Sequence, residues 1–233
     1  MNDATFYIPK SEYETRRHTF ELCSWINDKL RKLEATGNFD KLYFERKGEG
    51  RRVKKLLEEA IPASRLALYL SVPGSDVFVT LHEGNQNFDA TLEIEGFTQR
   101  MFKLEITMAE TKEAPLRRQA LSKYGHVPLS GAIDKHKDGS ISWEHEMVNV
   151  EDREQEYVEL MFRQLLKKLE GDNYPTETAI LVYLSEFLPL SIRNRTQLVQ
   201  RTQWYLLEKN LKRKVYYGYA VGHFIDSVNS YDI

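Results

Sequence analysis

Two stretches of alternating polarity contain the acidic residues that could carry out chemistry. Polar and apolar side chains alternate over residues 87–95, and residues 102–108 repeat the pattern after Gly96. A period of two is typical of half-buried strands, and the break at Gly96 predicts a hairpin with a short loop. Asp89 stands in the first predicted strand and Glu105 in the second. The spacing therefore brings two carboxylates to neighbouring strands.

The loop length sets the register of this predicted hairpin. It pairs residues whose numbers sum to 194, which places Asp89 opposite Glu105 and Thr91 opposite Lys103. Directly opposed residues have Cβ atoms roughly 5 Å apart, so the two carboxylates repel each other unless a cation lies between them. Hard divalent ions bind through one or two carboxylates plus substrate phosphate. The pair indicates either a metal site or a solvated acidic strand face with Lys103 as a neighbouring countercharge.

Composition excludes several classes of protein. The chain has 233 residues, 41% of them hydrophobic, and its formal net charge of −2 provides no overall basic field to hold nucleic acid. Its single cysteine, Cys23, excludes an intramolecular disulfide. No apolar run approaches the roughly 20 residues of a membrane span, and the first residues lack the pattern of a signal peptide. We therefore expect a cytoplasmic protein without a membrane partner.

Hydrophobic periodicity predicts the elements that must position these acids. Ser11, with Glu14 three residues later, predicts a capped start for the first helix, and Pro62 predicts the end of the second. We find no linker-like stretch and expect a single domain over residues 1–233. The predicted helices cover 11–35, 47–61, 114–124, 150–170 and 191–209, and the predicted strands cover 65–72, 77–82, the two arms of the hairpin within 85–108, 178–185 and 214–221, with a small exposed hairpin within 126–143.

A basic segment near the C-terminus is the candidate contact for nucleic acid. Between Arg193 and Lys214, seven basic residues stand against one acidic residue. Such a strip could bind phosphates, or it could complement the dipole at the end of its own helix. We take Arg193, Arg195 and Arg201 as the candidate contacts.

The order of elements resembles the PD-(D/E)XK nuclease-like fold. In that family an acid on the first core helix, an Asp on the second strand and a (D/E)-x-K motif on the third strand form a metal site for phosphodiester hydrolysis. The matching positions here are Glu49, Asp89 and Glu105. Glu49 has a second interpretation, as a first-turn acid that the helix dipole favours.

The resemblance implies an α/β fold with a mixed central sheet flanked by helices. Its restriction-endonuclease-like core, with the order αβββαβ, would cover about residues 47–185. A helical N-terminal extension over 1–46, a C-terminal helix and strand over 186–233, and a small inserted hairpin would complete the single domain.

The third motif departs from the family pattern, because the family lysine would fall at residue 107 and this chain has Thr107. A hydroxyl can donate a hydrogen bond but carries no positive charge. Losing a fixed cation beside a developing oxyanion typically costs on the order of 3 kcal/mol. Lys103, two residues back on the same strand face, could supply the charge, and Gln119 on the next helix is similar to a glutamine of related family members.

The resemblance also implies a cofactor, a substrate and site residues. The implied ligands of Mg²⁺ (or Mn²⁺) are Glu49, Asp89, Glu105 and the main-chain carbonyl of Ile106. Lys103 or Thr107 would orient the attacking water, and DNA or RNA would be the substrate. The alternative is a catalytically inactive nuclease-fold protein that serves as a nucleic-acid-binding or protein-interaction module, with a homodimer as a candidate assembly.

Overall fold

The computed structural model describes most of the chain and divides it into two compact units. The described residues are 6–37, 42–43, 49–84, 86–97, 99–128, 130–147, 149–170, 174–175, 177–184, 191–208, 216–220 and 223–226. The first unit comprises residues 1–107, 171–181 and 213–216, and the second comprises residues 108–170, 182–212 and 217–233.

The described elements alternate between helices and strands along the chain. In order they are α1 (Lys10–Tyr13), β1 (Arg17–His18), α2 (Thr19–Ala35), α3 (Glu49–Lys55), a π-helical turn (Leu56–Ala60), α4 (Ile61–Leu70), β2 (Ser75–Leu81), β3 (Ala90–Gly96), β4 (Arg100–Ala109), α5 (Ala114–Tyr124), β5 (Ile133–Lys135), β6 (Ile141–Trp143), α6 (Val150–Leu169), β7 (Thr178–Leu184), α7 (Ile192–Glu208), β8 (Tyr216–Ala220) and β9 (His223–Asp226).

A mixed sheet flanked by helices confirms the α/β prediction. Its hydrogen-bonded strand order begins β1-β2-β3-β4-β7, and the first four strands pair antiparallel. Helices α2 and α4 pack against each other and against β2. Strand β7 is buried along almost its whole length, as its continuous apolar run predicts.

Pro62 does not end the second helix. Helix α3, the π-helical turn and α4 form one helical run over 49–70, so the predicted strand over 65–72 is wrong. Pro62 lies in the first turn of α4, directly after the π-helical turn, where the regular i→i−4 bonding is already interrupted and its missing N–H is tolerated. Leu66 is fully buried in this helix, whereas Leu68 is 37% exposed.

The first long helix begins later than the sequence predicts. Helix α1 is a single short turn, and α2 starts at Thr19 after the two-residue strand β1. Its cap is His18, whose ring nitrogen accepts from the N–H of Phe20 while the Glu21 carboxylate accepts from the N–H of His18. The predicted capping box at Ser11 is therefore wrong. The reciprocal hydrogen bonds of a capping box form at His18, seven residues later.

The second unit contains the elements predicted for the region after the central hairpin. Helix α5 ends at Gly125, which adopts the left-handed conformation of a C-cap at φ +76°. Strands β5 and β6 form the small predicted hairpin, and helices α6 and α7 pack against each other. Strands β8 and β9 pair antiparallel. In the described part of the chain, no helix is both long and apolar enough to cross a membrane.

The exposure of two leucines on α4 tests the helical assignment of this segment. Leu66→Ala should lower the free energy of unfolding by about 2–5 kcal/mol because it leaves a cavity in a closed core. The same substitution at Leu68 should cost less than about 1 kcal/mol, because that side chain is partly solvated. Urea denaturation measures both. Equal losses would contradict the helix and agree with a strand, in which the two leucines share a face.

Candidate active site

The central hairpin has the predicted register. Thr91 pairs with Lys103, and the ladder between β3 and β4 begins with the pair Ala90 and Leu104. These pair numbers sum to 194, as the sequence predicts. The predicted opposition of Asp89 and Glu105 lies one pair beyond the described ladder.

Asp89 precedes β3 directly and is held against the backbone of β4. Its N–H donates to the carbonyl of Leu104 at 2.8 Å. Its carboxylate accepts from the N–H of Ile106, also at 2.8 Å. Glu105, between these two residues, is 9% exposed. The hairpin therefore brings two acidic residues to one poorly solvated stretch of β4.

The helical run over 49–70 contributes a third acid, Glu59. It lies in the π-helical turn, and its side chain is 18% exposed. Lys55 Nζ donates to both Glu59 oxygens, at 2.9 and 2.7 Å. The hydroxyl of Tyr13, a fully buried residue, donates to the same carboxylate at 3.2 Å.

The hydrophobic pattern of the sequence does not select Glu59, because the π-helical turn changes the helical phase. Counting back from Val53 at regular helical spacing selects Glu49 as the inward acid and leaves Glu59 beside the apolar stripe. A π-helical turn inserts one extra residue, which rotates the positions after it by about 100° relative to those before it. The side chain of Glu49 lies outside the described part of the structure, so its predicted role stays a prediction.

Electrostatics connects these groups into one cluster. Burial, followed by the negative charges of Glu59 and Glu105, raises the pKa of Asp89 to about 7, against the opposing effects of the Ile106 N–H and Lys55. Burial likewise raises the pKa of Glu59, although Lys55 opposes the change. A raised pKa shared among neighbouring acids in a poorly solvated place is typical of functional sites.

Tyr13 adds a buried hydroxyl to this cluster. Burial, followed by the negative charge of Glu59, raises the pKa of Tyr13 well above its usual range. The phenol therefore stays protonated and donates to Glu59. Its hydrogen bond fixes that carboxylate from the side of α1.

No family model, curated protein or solved structure matches the chain. Within the described residues, no three His, Cys, Asp or Glu side chains converge closely enough to form a ready metal-binding group. The three acids are coupled by charge, and closing them around an ion would require side-chain movement.

The other residues predicted for catalysis have different surroundings. The Lys103 ammonium lies 5.4 Å from the centre of the Phe88 ring. Thr107 is half-buried on β4. Gln119 belongs to the second unit, where its side chain accepts from Lys135 at 3.2 Å. Their catalytic roles stay predictions.

The three arginines predicted to contact nucleic acid differ in their solvent exposure. Arg201 forms an ion pair with Glu159 and lies 4.3 Å from the centre of the Phe162 ring. Arg195 is half-buried and Arg193 is exposed. Arg193 is therefore the most accessible of the three, and the basic residues over 209–215 lie outside the described part of the chain.

The raised pKa of Asp89 predicts a dependence of stability on pH. Between its ordinary value of 3.8 and about 7, the folded state holds a proton that the unfolded state releases. Stability should therefore fall as pH rises through this range and level off above it. Asp89→Asn should lack this loss. Between pH 5 and pH 8, the free energy of unfolding should therefore fall by about 3 kcal/mol more in wild type than in the variant.

Urea denaturation at pH 5 and pH 8 provides the measurement. Asn retains the oxygen that accepts from Ile106, so the comparison isolates the charge. Asp134→Asn, at an exposed position on β5, is the matched control and should leave the pH dependence unchanged. A parallel pH dependence in wild type and Asp89→Asn would show that Asp89 titrates normally.

Proposed function

We propose that this protein is a metal-dependent nuclease that hydrolyses phosphodiester bonds in DNA or RNA. The observation that supports it best is the burial of Asp89 beside Glu105 and Glu59, which is unfavourable in the absence of a cation. Carboxylates gathered from two strands and a helix are the arrangement that a divalent ion would stabilise. The charge of such an ion would complement a phosphate substrate.

The order of elements supports a restriction-endonuclease-like core. A helical run over 49–70 is followed by the antiparallel strands β2, β3 and β4, then α5 and later β7. Asp89 directly precedes the second of these strands and Glu105 lies on the third, close to the positions that the resemblance implies. We assign the helical acid of this arrangement to Glu59.

The donor set fits Mg²⁺ or Mn²⁺ by its chemistry. Both ions take hard oxygen ligands, and Mg²⁺ usually binds through one or two carboxylates together with substrate phosphate and water. Asp89 and Glu105 would hold the ion, with Glu59 and the carbonyl of Ile106 as further ligands. When bound, a divalent ion supplies Lewis acidity and lowers the pKa of coordinated water.

The residues of the chain have the remaining roles in this proposal. The N–H of Ile106 fixes the orientation of the Asp89 carboxylate. Burial of Glu105 limits competition from bulk water. The Thr107 hydroxyl or the Lys103 ammonium orients the attacking water.

Cleavage assays with fluorescent single- and double-stranded DNA and RNA test this function directly. Wild type should cleave at least one of them with Mg²⁺ or Mn²⁺ and should stop when EDTA is added. Asp89→Asn and Glu105→Gln should each reduce the rate by about 100-fold or more, because each removes a charge that the reaction requires. Glu95→Gln is the control, since its partly exposed side chain pairs with Arg16 at the far end of β3.

Two outcomes would contradict the proposal. One is no cleavage of any substrate by wild type, and the other is equal cleavage by wild type and Asp89→Asn. Metal-independent binding of nucleic acid without cleavage would favour the alternative, a catalytically inactive module, which the threonine at position 107 already allows.

Metal binding should also appear as a gain in stability. At pH 8, MnCl₂ at about 100 times its Kd should raise the free energy of unfolding of wild type by about 2.7 kcal/mol. Asp89→Asn and Glu105→Gln should show a much smaller gain because each loses a ligand charge. Thermal denaturation with and without the ion measures the effect, with CaCl₂ and NaCl of matched ionic strength as controls. An equal gain in all variants would place the ion elsewhere.

A further inference from the structure

Lys55 is a poorly exposed lysine whose ammonium contacts two segments of the first unit. Its side chain is 14% exposed, and its Nζ donates to both oxygens of Glu59 at 2.9 and 2.7 Å. The same nitrogen lies 3.5 Å from the carbonyl of His82. The N–H of His82 in turn donates to the carbonyl of Asp89 at 2.9 Å. Lys55 thus connects the helical acid with the segment that presents Asp89.

The Lys55 ammonium lies beside a cluster of acidic side chains. The negative charges of Glu59 and Glu105 both act on Asp89. A poorly solvated ammonium is unfavourable without a partner, and Glu59 supplies that partner. Lys55 opposes the rise in the pKa of both Asp89 and Glu59, so its charge reduces the repulsion at these two carboxylates.

Position 107 lacks the cation that the chemistry of phosphate transfer would use. Lys103 and Lys55 are the two lysines whose surroundings bear on the replacement. The Lys103 ammonium lies over the ring of Phe88, at 5.4 Å, whereas the Lys55 ammonium contacts a carboxylate of the cluster. The geometry therefore favours Lys55.

We propose that Lys55 is the fixed positive charge of this site and replaces the lysine that is absent at position 107. The inference rests on the proposed nuclease function. Lys55 acts as a positioning residue: it holds the Glu59 carboxylate in place, and its charge favours the negative charge that develops when the phosphodiester bond is attacked. It does not act as a metal ligand, because an ammonium has no lone pair to donate.

A matched pair of substitutions separates this role from a purely structural one. Lys55→Gln keeps an N–H donor for Glu59 but removes the charge, and Lys55→Arg keeps both. Cleavage with Mn²⁺ should fall by about 100-fold in Lys55→Gln and by less than about tenfold in Lys55→Arg. When Thr107→Lys is added to Lys55→Gln, it should recover at least a third of the decrease in the logarithm of the cleavage rate.

Mn²⁺ affinity provides a readout that does not depend on turnover. Titration calorimetry without nucleic acid should give Lys55→Gln an affinity equal to or tighter than that of wild type, because a neighbouring cation has been removed. A residue that only maintains the fold would lose metal affinity and cleavage together. That joint loss would overturn the inference, as would wild-type cleavage rates in Lys55→Gln or no restoration by Thr107→Lys.

The experiment distinguishes the failure of this inference from the failure of the proposed function. Cleavage by wild type together with undiminished cleavage by Lys55→Gln overturns the role of Lys55 alone. No cleavage by wild type overturns both. If Lys55→Gln does not fold, Thr107→Lys in the wild-type background decides: a tenfold or greater rise in cleavage would show that the site lacked a cation and would overturn the inference.

Discussion

Repulsion among three poorly solvated carboxylates is the constraint around which the first unit is organised. Asp89, Glu59 and Glu105 come from a strand entry, a helical turn and a strand, so no local rule of secondary structure requires them to meet. Two of them, Asp89 and Glu59, are stabilised by contacts with the backbone or with neighbouring side chains. The N–H of Ile106 binds Asp89, and Lys55 and Tyr13 bind Glu59. These contacts reduce the repulsion but leave the pKa of Asp89 at about 7.

The π-helical turn is the feature that makes this meeting geometrically possible. In a regular helix, the apolar stripe that contains Val53 and Leu56 would continue past Glu59 and leave it to one side. The extra residue of the turn changes the phase between α3 and α4. Both helices keep a buried face, with Val53 and Leu66 fully covered, while Glu59 lies between them. An interruption of helical bonding is thus compatible with a closed core on either side.

Sequence patterns predicted the hairpin better than the helix that supports it. Alternation and loop length were sufficient to define the pairing of Thr91 with Lys103, because a slip of one residue would expose the whole apolar face. The strand predicted over 65–72 was wrong because apolar residues at every second position fit a short strand and a buried helix equally well. Only tertiary packing decides between them, since α2 and β2 cover the buried face of α4. Glu59 was missed for a related reason, because propensity does not indicate where a helix changes phase.

The location of positive charge distinguishes a site that could act on phosphate from one that merely tolerates buried acid. If the acids served only the fold, replacing them with amides of the same shape should stabilise the protein. Beside the ammonium of Lys55, the three acids form a cluster with excess negative charge, which a divalent cation would balance. A lysine on the strand and a lysine on the helix can generate similar fields at the same carboxylates, because a Coulomb interaction depends on distance and not on the element that carries the charge. Thr107 on β4 and Lys55 at the end of α3 are therefore compatible with the same chemistry.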